Sequence, residues 1–266
     1  MNILILGSGD AEQNFINLCL KSKYLDYIYT SSTKFVDYVQ NITYNNHEEL
    51  ATKIKDLQID IVIVFDKTEI ANGIVEFWQK KHINVFSTNK KWLNLQTSYV
   101  ATKNLCKFYS FNIPEKIKFP SNFPIILKHD KKTILVNTLK ELTEIKTNLE
   151  VKNVFMEEFL KGKEFSLVSI WDGRNIFHYD LSETLTEVQY ERLNLFKAKL
   201  MFMLSDEKAD FMVFIVSKLI WTKNDWYILN FEITPDSKDI SEILEPSQKD
   251  FLYLLNSAIY QKLNEI

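Results

Sequence analysis

The sequence predicts an α/β protein in which a small parallel, Rossmann-like N-terminal domain precedes a reduced α+β region. Two observations carry this prediction. Strand-like apolar runs alternate with helical patterns over residues 1–86, which is typical of βαβ units and a parallel sheet. Beyond residue 120, strand-like runs are separated by short turn signals, which indicates antiparallel pairing.

The N-terminal region opens with residues 2–6, a short apolar run that glycine ends, as in a buried parallel strand. The stretch GSGDAEQNF then predicts a glycine turn and a helix that reaches about Lys21. Such a turn exposes backbone N–H groups and can hold a phosphate, although an ordinary turn is an equally simple interpretation. The third glycine of the dinucleotide fingerprint is missing. Further predicted elements are the strands 27–30, 59–65 and 84–86 and the helices 47–57 and 72–81.

The second region contains a stretch, VFMEEFLKGKEFSLVSIWDGR at residues 154–174, that predicts two strands, 154–160 and 165–171. A charged bend around Gly162 joins them as a hairpin, and Asp172-Gly173 is a second turn signal. The other predicted elements are the strands 124–128, 133–136, 175–179, 211–221 and 226–233 and the helices 138–147, 187–199 and 249–263.

Composition excludes several classes of protein. The 266 residues contain 46% hydrophobic and 25% charged residues, as in an ordinary globular chain of one or two domains. A net charge of −3 gives no reason to expect nucleic-acid or membrane partners. Cys19 and Cys106 are too few for a disulfide framework and fit a reducing cytoplasm. The sequence shows no signal peptide and no transmembrane span.

The segment EEFLKGKEFS at residues 157–166 resembles the nucleotide hinge of ATP-grasp ligases, and within them it is most similar to the phosphoribosylamine–glycine ligase family. The resemblance implies that backbone groups of this segment meet adenine and that Glu164 accepts hydrogen bonds from the ribose hydroxyls, since a carboxylate has several lone pairs to receive them. A hairpin with one polar, solvated face is the alternative. The nucleotide-binding candidates here are Glu157, Glu158, Phe159, Leu160 and Glu164.

Three further matches extend the resemblance. Gly7, Ser8 and Gly9 match the family's substrate-phosphate turn, but the neutral Ala11 and Gln13 stand where the family has Arg and His. The resemblance also implies that Lys128, at a strand end, reaches the nucleotide phosphates. Asn230 and Glu232 match a family Glu-x-Asn pair in swapped order and are the implied Mg²⁺ ligands, since alternate strand residues share a face and their oxygens suit Mg²⁺. For both features, a solvated strand end or edge is the alternative.

Several parts of the family pattern have no match. His129-Asp130-Lys131-Lys132 replaces a glycine-rich loop, a short helix replaces a basic substrate segment, and nothing matches the family's C-terminal domain. The sequence therefore predicts an N-terminal domain over residues 1–92 and an ATP-grasp domain over residues 93–266. The resemblance implies ATP and Mg²⁺ as cofactors and small molecules as partners, namely the nucleotide, glycine and phosphoribosylamine.

Three hypotheses follow from these matches. The chain is a minimal ADP-forming carboxylate–amine ligase with reduced or altered activity, a non-catalytic nucleotide-binding relative that acts through partners, or a binding module that shares only the fold.

Overall fold

The structure is a computed structural model that describes residues 1–34, 38–129, 132–148, 154–179, 185–233 and 249–266. Within these residues the strands form three sheets of five, three and four strands. The sequence features at Lys131, at residues 180–183 and at residues 234–237 lie outside the described residues. No helix in the described ranges is long and apolar enough to span a membrane.

The N-terminal sheet is parallel, as the alternating sequence pattern predicts, with the strand order β3-β2-β1-β4-β5. Its strands are β1 (Asn2–Leu6), β2 (Tyr27–Thr30), β3 (Gln40–Asn41), β4 (Ile61–Val64) and β5 (Val85–Phe86). The helices are α1 (Asp10–Cys19), α2 (His47–Asp56), α3 (Lys67–Ala71), α4 (Ile74–Gln79), α5 (Lys90–Thr97) and α6 (Tyr99–Phe108). The central strands β1 and β4 are buried almost throughout, because helices cover both faces of such a sheet.

Side-chain caps fix the starts of several of these helices. The Asn46 side chain accepts a hydrogen bond from the Glu49 N–H at the start of α2, and Asp66 accepts from the Thr68 N–H at the start of α3. The predicted helix 72–81 is wrong at its start. Gly73 has a left-handed backbone with φ of +87°, which ends α3 and begins α4.

A three-stranded antiparallel sheet follows, in the order β7-β6-β8. It consists of β6 (Ile125–His129), β7 (Lys132–Val136) and β8 (Phe155–Glu158), with α7 (Leu139–Asn148) packed against it. Thr138 caps α7 by accepting the Glu141 N–H. The small apolar core of this unit includes Ile125, Leu127 and Leu142.

The four-stranded sheet is also antiparallel, in the order β10-β9-β11-β12. Its strands are β9 (Lys163–Trp171), β10 (Ile176–His178), β11 (Val213–Thr222) and β12 (Asp225–Glu232). The predicted turn at Asp172-Gly173 is confirmed, and a second short turn joins β11 to β12. The helix α8 (Glu187–Asp206) covers one face and is longer than predicted.

The predicted hairpin between residues 154–160 and 165–171 is wrong. The strand β8 pairs with β6, whereas β9 pairs with β10 and β11 in the other sheet. The bend around Gly162 therefore carries the chain from one sheet to the next. Gly162 lies so close to the Trp221 carbonyl that an added Cβ would collide with it.

One hydrophobic core joins the parallel sheet to the four-stranded sheet. Phe15 of α1, Phe214 of β11 and Phe251 of α9 (Phe251–Ile259) pack together, with ring centroids 4.7 Å apart for Phe15–Phe251 and 5.4 Å for Phe214–Phe251. The Ser87 N–H also donates to the Met212 carbonyl at 2.7 Å. The predicted division after residue 92 falls inside α5 and stays a prediction.

Candidate functional site

The last strand of the three-stranded sheet, β8, carries a buried carboxylate that two lysines contact. Glu157 of β8 lies 2.7 Å from Lys128 Nζ through Oε1 and 3.1 Å from Lys103 Nζ through Oε2. All three side chains are at most 7% exposed. The three residues come from β8, β6 and α6, so their meeting depends on tertiary packing. We call them the Lys103–Glu157–Lys128 cluster.

The cluster contains two ammonium groups and one carboxylate, so it carries an excess of positive charge. Burial lowers the pKa of Lys103, Glu157 opposes that shift, and the charge of Lys128 adds to it. Lys103 Nζ lies 3.1 Å from Glu157 Oε2, and within the described residues its remaining donors have no other hydrogen-bond partner. A buried ammonium with free donors and incomplete charge compensation suits an anionic ligand.

Lys128 also ties the two antiparallel sheets together. Its Nζ donates to the Leu229 carbonyl of β12 at 3.1 Å and lies 4.8 Å from the centroid of the Tyr99 ring. The amine that the sequence assigns to nucleotide phosphates is therefore 5% exposed at the junction between the sheets. Its role in phosphate binding stays a prediction.

A β-bulge at Leu229 decides which way the next residues point. Lys218 pairs with Asn230, but the adjacent Leu219 pairs with Ile228, so Leu229 has no Cα partner on β11. This extra residue places Phe231 on the same buried face as Ile228, and both lie in the core beneath α8. Without the bulge, the period of two would have buried Asn230 and Glu232 there instead.

Asn230 and Glu232 consequently share the opposite face of the sheet. Asn230 stands beside Lys218 of β11, and Lys218 stands beside Ser166 of β9. Glu164 lies two residues before Ser166 and is exposed on this same face. The structure thus brings the predicted ribose acid and the predicted metal pair to one face, and their roles stay predictions.

The donor set for Mg²⁺ is disturbed by a lysine. Lys218 Nζ lies 3.9 Å from Glu232 Oε2, the carboxylate that would be the principal metal ligand. Among the described residues, no group of three or more His, Cys, Asp or Glu side chains could hold a metal ion. An ammonium beside Glu232 opposes a second cation at close range. The described residues around Asn230 therefore do not fit a resident Mg²⁺.

The other predicted hinge residues have different surroundings. Glu158 forms an ion pair with Lys223 at 3.0 Å and accepts the Glu115 N–H at 3.1 Å. The Phe159 ring is 39% exposed, and Leu160 is buried. Because residues 159–162 connect the two sheets, their backbone is free of strand pairing and can meet a planar ligand.

The predicted substrate-phosphate turn, formed by Gly7, Ser8 and Gly9, follows β1 at the carboxyl edge of the parallel sheet. Gly7 has φ of +131°, and a Cβ there would collide with the Glu12 side chain. Glu12 is 6% exposed and accepts the Gly9 N–H at 3.0 Å. The Glu12 side chain therefore fixes the conformation of this turn.

The predicted site contains neither Lys103 nor Lys218. The helical spacing indicates that Lys103 is buried, because it lies three residues before Cys106 on the buried face of α6. Lys218 interrupts the apolar run of β11. Neither signal says which partner the lysine meets.

Comparisons with known proteins agree with this architecture. Residues 1–95 match the family model of the phosphoribosylglycinamide synthetase N domain. The phosphoribosylamine–glycine ligase of Clostridium acetobutylicum is 23% identical over 318 aligned positions, which cover 100% of this chain and 76% of that protein. The alignment is longer than the 266 residues of this chain, so the relative has insertions where this chain is shorter.

Two solved structures share the fold. The phosphoribosylamine–glycine ligase of Thermotoga maritima matches with a TM-score of 0.78 and 18% identity, over 98% of this chain and 76% of that one. The D-alanine–D-alanine ligase of Bacillus anthracis, solved with ATP, matches with a TM-score of 0.65 and 16% identity, over 100% of this chain and 99% of that one. The α/β fold class is confirmed: residues 1–95 match the N domain of phosphoribosylglycinamide synthetase, and the whole chain is similar to phosphoribosylamine–glycine ligases and shares the fold of ATP-grasp ligases.

Proposed function

We propose that this chain binds ATP at the junction between its two antiparallel sheets. The observation that carries the proposal is the Lys103–Glu157–Lys128 cluster, whose excess positive charge is buried and whose Lys103 ammonium has free donors. A triphosphate would supply the missing negative charge through charge-assisted hydrogen bonds. The solved D-alanine–D-alanine ligase that shares this fold is complexed with ATP.

The remaining hinge residues have assigned parts in this proposal. The backbone near Glu158, Phe159 and Leu160 meets the base, because the chain leaves the paired strand β8 after Glu158 and residues 159 and 160 lie in the unpaired connection between the sheets. Glu164 accepts the ribose hydroxyls, and its exposed position on β9 leaves it accessible. Lys128 and Lys103 hold the phosphates.

The family's ligase chemistry forms an acyl phosphate from a carboxylate and lets an amine attack it, which depends mainly on positioning. We propose that this chain joins glycine to phosphoribosylamine weakly or not at all. The Gly7–Gly9 turn supports this, because the neutral Ala11 and Gln13 stand where the family has Arg and His and bring no positive charge to a substrate phosphate.

The missing positive charge at Ala11 and Gln13 also favours a second candidate, a nucleotide-binding relative that is not a catalyst. ADP formation distinguishes the two candidates. We also place the protein in the cytoplasm, because its two cysteines are both free and buried.

Thermal unfolding with increasing ATP tests the proposal. A ligand that binds only the native state raises stability by mass action, by about 2.7 kcal/mol at a concentration 100 times Kd. Inorganic triphosphate and adenosine, tested separately, should each shift the melting temperature less than ATP does. An unchanged melting temperature with ATP at millimolar concentration would contradict the proposal.

A further inference from the structure

Lys218 is a strand residue whose charge the proposed nucleotide site does not use. It lies in the middle of β11, with Asn230 of β12 on one side and Ser166 of β9 on the other. Its ammonium is 3.9 Å from Glu232 Oε2, and the two side chains are 31% and 22% exposed. The lysine is therefore partly accessible at the centre of the face that carries Glu164, Asn230 and Glu232.

This face adjoins the Lys103–Glu157–Lys128 cluster through the backbone. Lys128 donates to the carbonyl of Leu229, the residue immediately before Asn230. The bulge at Leu229 both supplies that carbonyl and turns Asn230 toward Lys218. Phosphates held by Lys128 would therefore lie beside the strand positions that Lys218 faces.

A divalent cation bound between nucleotide and protein mainly neutralises phosphate charge. An ammonium can do the same as a point charge, with three donors for phosphate oxygens. Once Lys218 is in place, a magnesium ion at Asn230 and Glu232 would be repelled by it at close range. The lysine is covalently part of the chain, so its charge is present whatever the metal concentration.

We infer that Lys218 takes the place of the divalent cation, so that this chain binds the metal-free nucleoside triphosphate anion. The inference rests on the proposed nucleotide function and adds to it the form of the ligand. Glu232 then orients the Lys218 ammonium, and Asn230 is its neighbour across the strands.

The test is calorimetric titration of ATP into the full chain, once with excess EDTA and once with Mg²⁺. The wild-type dissociation constants should agree within about threefold, since the metal adds little to the binding free energy. Lys218→Met should weaken binding in EDTA by about 10- to 100-fold, the usual effect of losing a hydrogen bond to a charged group. Mg²⁺ should restore part of that loss, and Lys218→Arg should bind ATP in EDTA nearly as the wild type does.

Lys81→Met is the matched control. Lys81 is also 31% exposed and also pairs with a glutamate, Glu48, but it lies beside the parallel sheet. It should leave ATP affinity unchanged in both buffers. Circular dichroism checks that each variant is folded. If Lys218→Met does not fold, the inference is tested by the wild-type affinities with and without Mg²⁺ and by the affinity of Lys218→Arg in EDTA.

The outcomes separate the inference from the proposed function. Wild-type binding that requires Mg²⁺, or an unchanged affinity of Lys218→Met in EDTA, overturns the inference and leaves nucleotide binding intact. Absence of ATP binding in both buffers overturns both.

Discussion

Removing the central carboxylate of the Lys103–Glu157–Lys128 cluster should destabilise the fold strongly. Glu157→Gln keeps the shape of the side chain but leaves two buried ammonium groups without a counter-charge. Breaking a buried ion pair by removing one partner typically costs about 3–5 kcal/mol. Glu157 contacts both lysines within 3.1 Å, so the upper part of that range is expected.

The neighbouring Glu158 provides a matched control on the same strand. Its partner Lys223 is 52% exposed, and Glu158→Gln should cost at most about 1 kcal/mol, as surface pairs do. The free energy of unfolding, measured from urea denaturation at pH 7, compares the two variants. A difference between them below about 1 kcal/mol would refute the energetic role given to the cluster.

The Glu157→Gln variant should also gain stability as the pH rises. Burial already lowers the pKa of Lys103 in the folded chain, and loss of Glu157 removes the charge that opposes this shift. The unfolded state then binds more protons than the native state until the pH exceeds the ordinary lysine pKa, so stability rises with pH in that window. A variant whose deficit relative to wild type is the same at pH 7 and pH 9 would contradict the assigned cause.

Three further predictions concern other parts of the chain. Glu164→Ala should weaken ATP binding by about tenfold in calorimetry because a charged acceptor is lost, and an unchanged affinity would remove Glu164 from the site. Burial, with a smaller effect of Lys197, lowers the pKa of His178 to about 3. The free energy of unfolding of the wild type should therefore fall between pH 7 and pH 4 more steeply than that of His178→Gln, by up to about 1.4 kcal/mol per pH unit. Equal pH slopes of the two proteins in urea denaturation would contradict this. The chain should form little ADP from ATP with glycine and phosphoribosylamine, and complementation of a purine-auxotrophic strain that lacks this ligase would show the opposite.

The sequence predicts the parallel half of the fold well because each central strand is an apolar run with helices on either side. The antiparallel half is harder, because its pairings join distant segments. The strand β8 pairs with β6, some thirty residues earlier in the chain, and β9 pairs with β11, so a bend that looks like a hairpin is a passage between sheets.

Only part of the candidate site could be predicted from the sequence. The resemblance indicates Lys128, Glu157 and Glu164, whereas the pairing of Glu157 with Lys103 depends on where α6 packs. The bulge at Leu229 cannot be inferred from the period of β12, and it decides that Asn230 faces Lys218. The position of Lys218 beside Glu232 likewise follows from strand register, which no single strand reveals.

Titration of ATP into the wild-type chain and into Lys128→Met tests the central claim most directly. We expect saturable binding of one ATP to the wild-type chain and a loss of at least about tenfold in Lys128→Met, with Lys81→Met unchanged. A wild-type chain that shows no saturable binding up to about 1 mM ATP, or a Lys128→Met variant that binds as the wild type does, would contradict it.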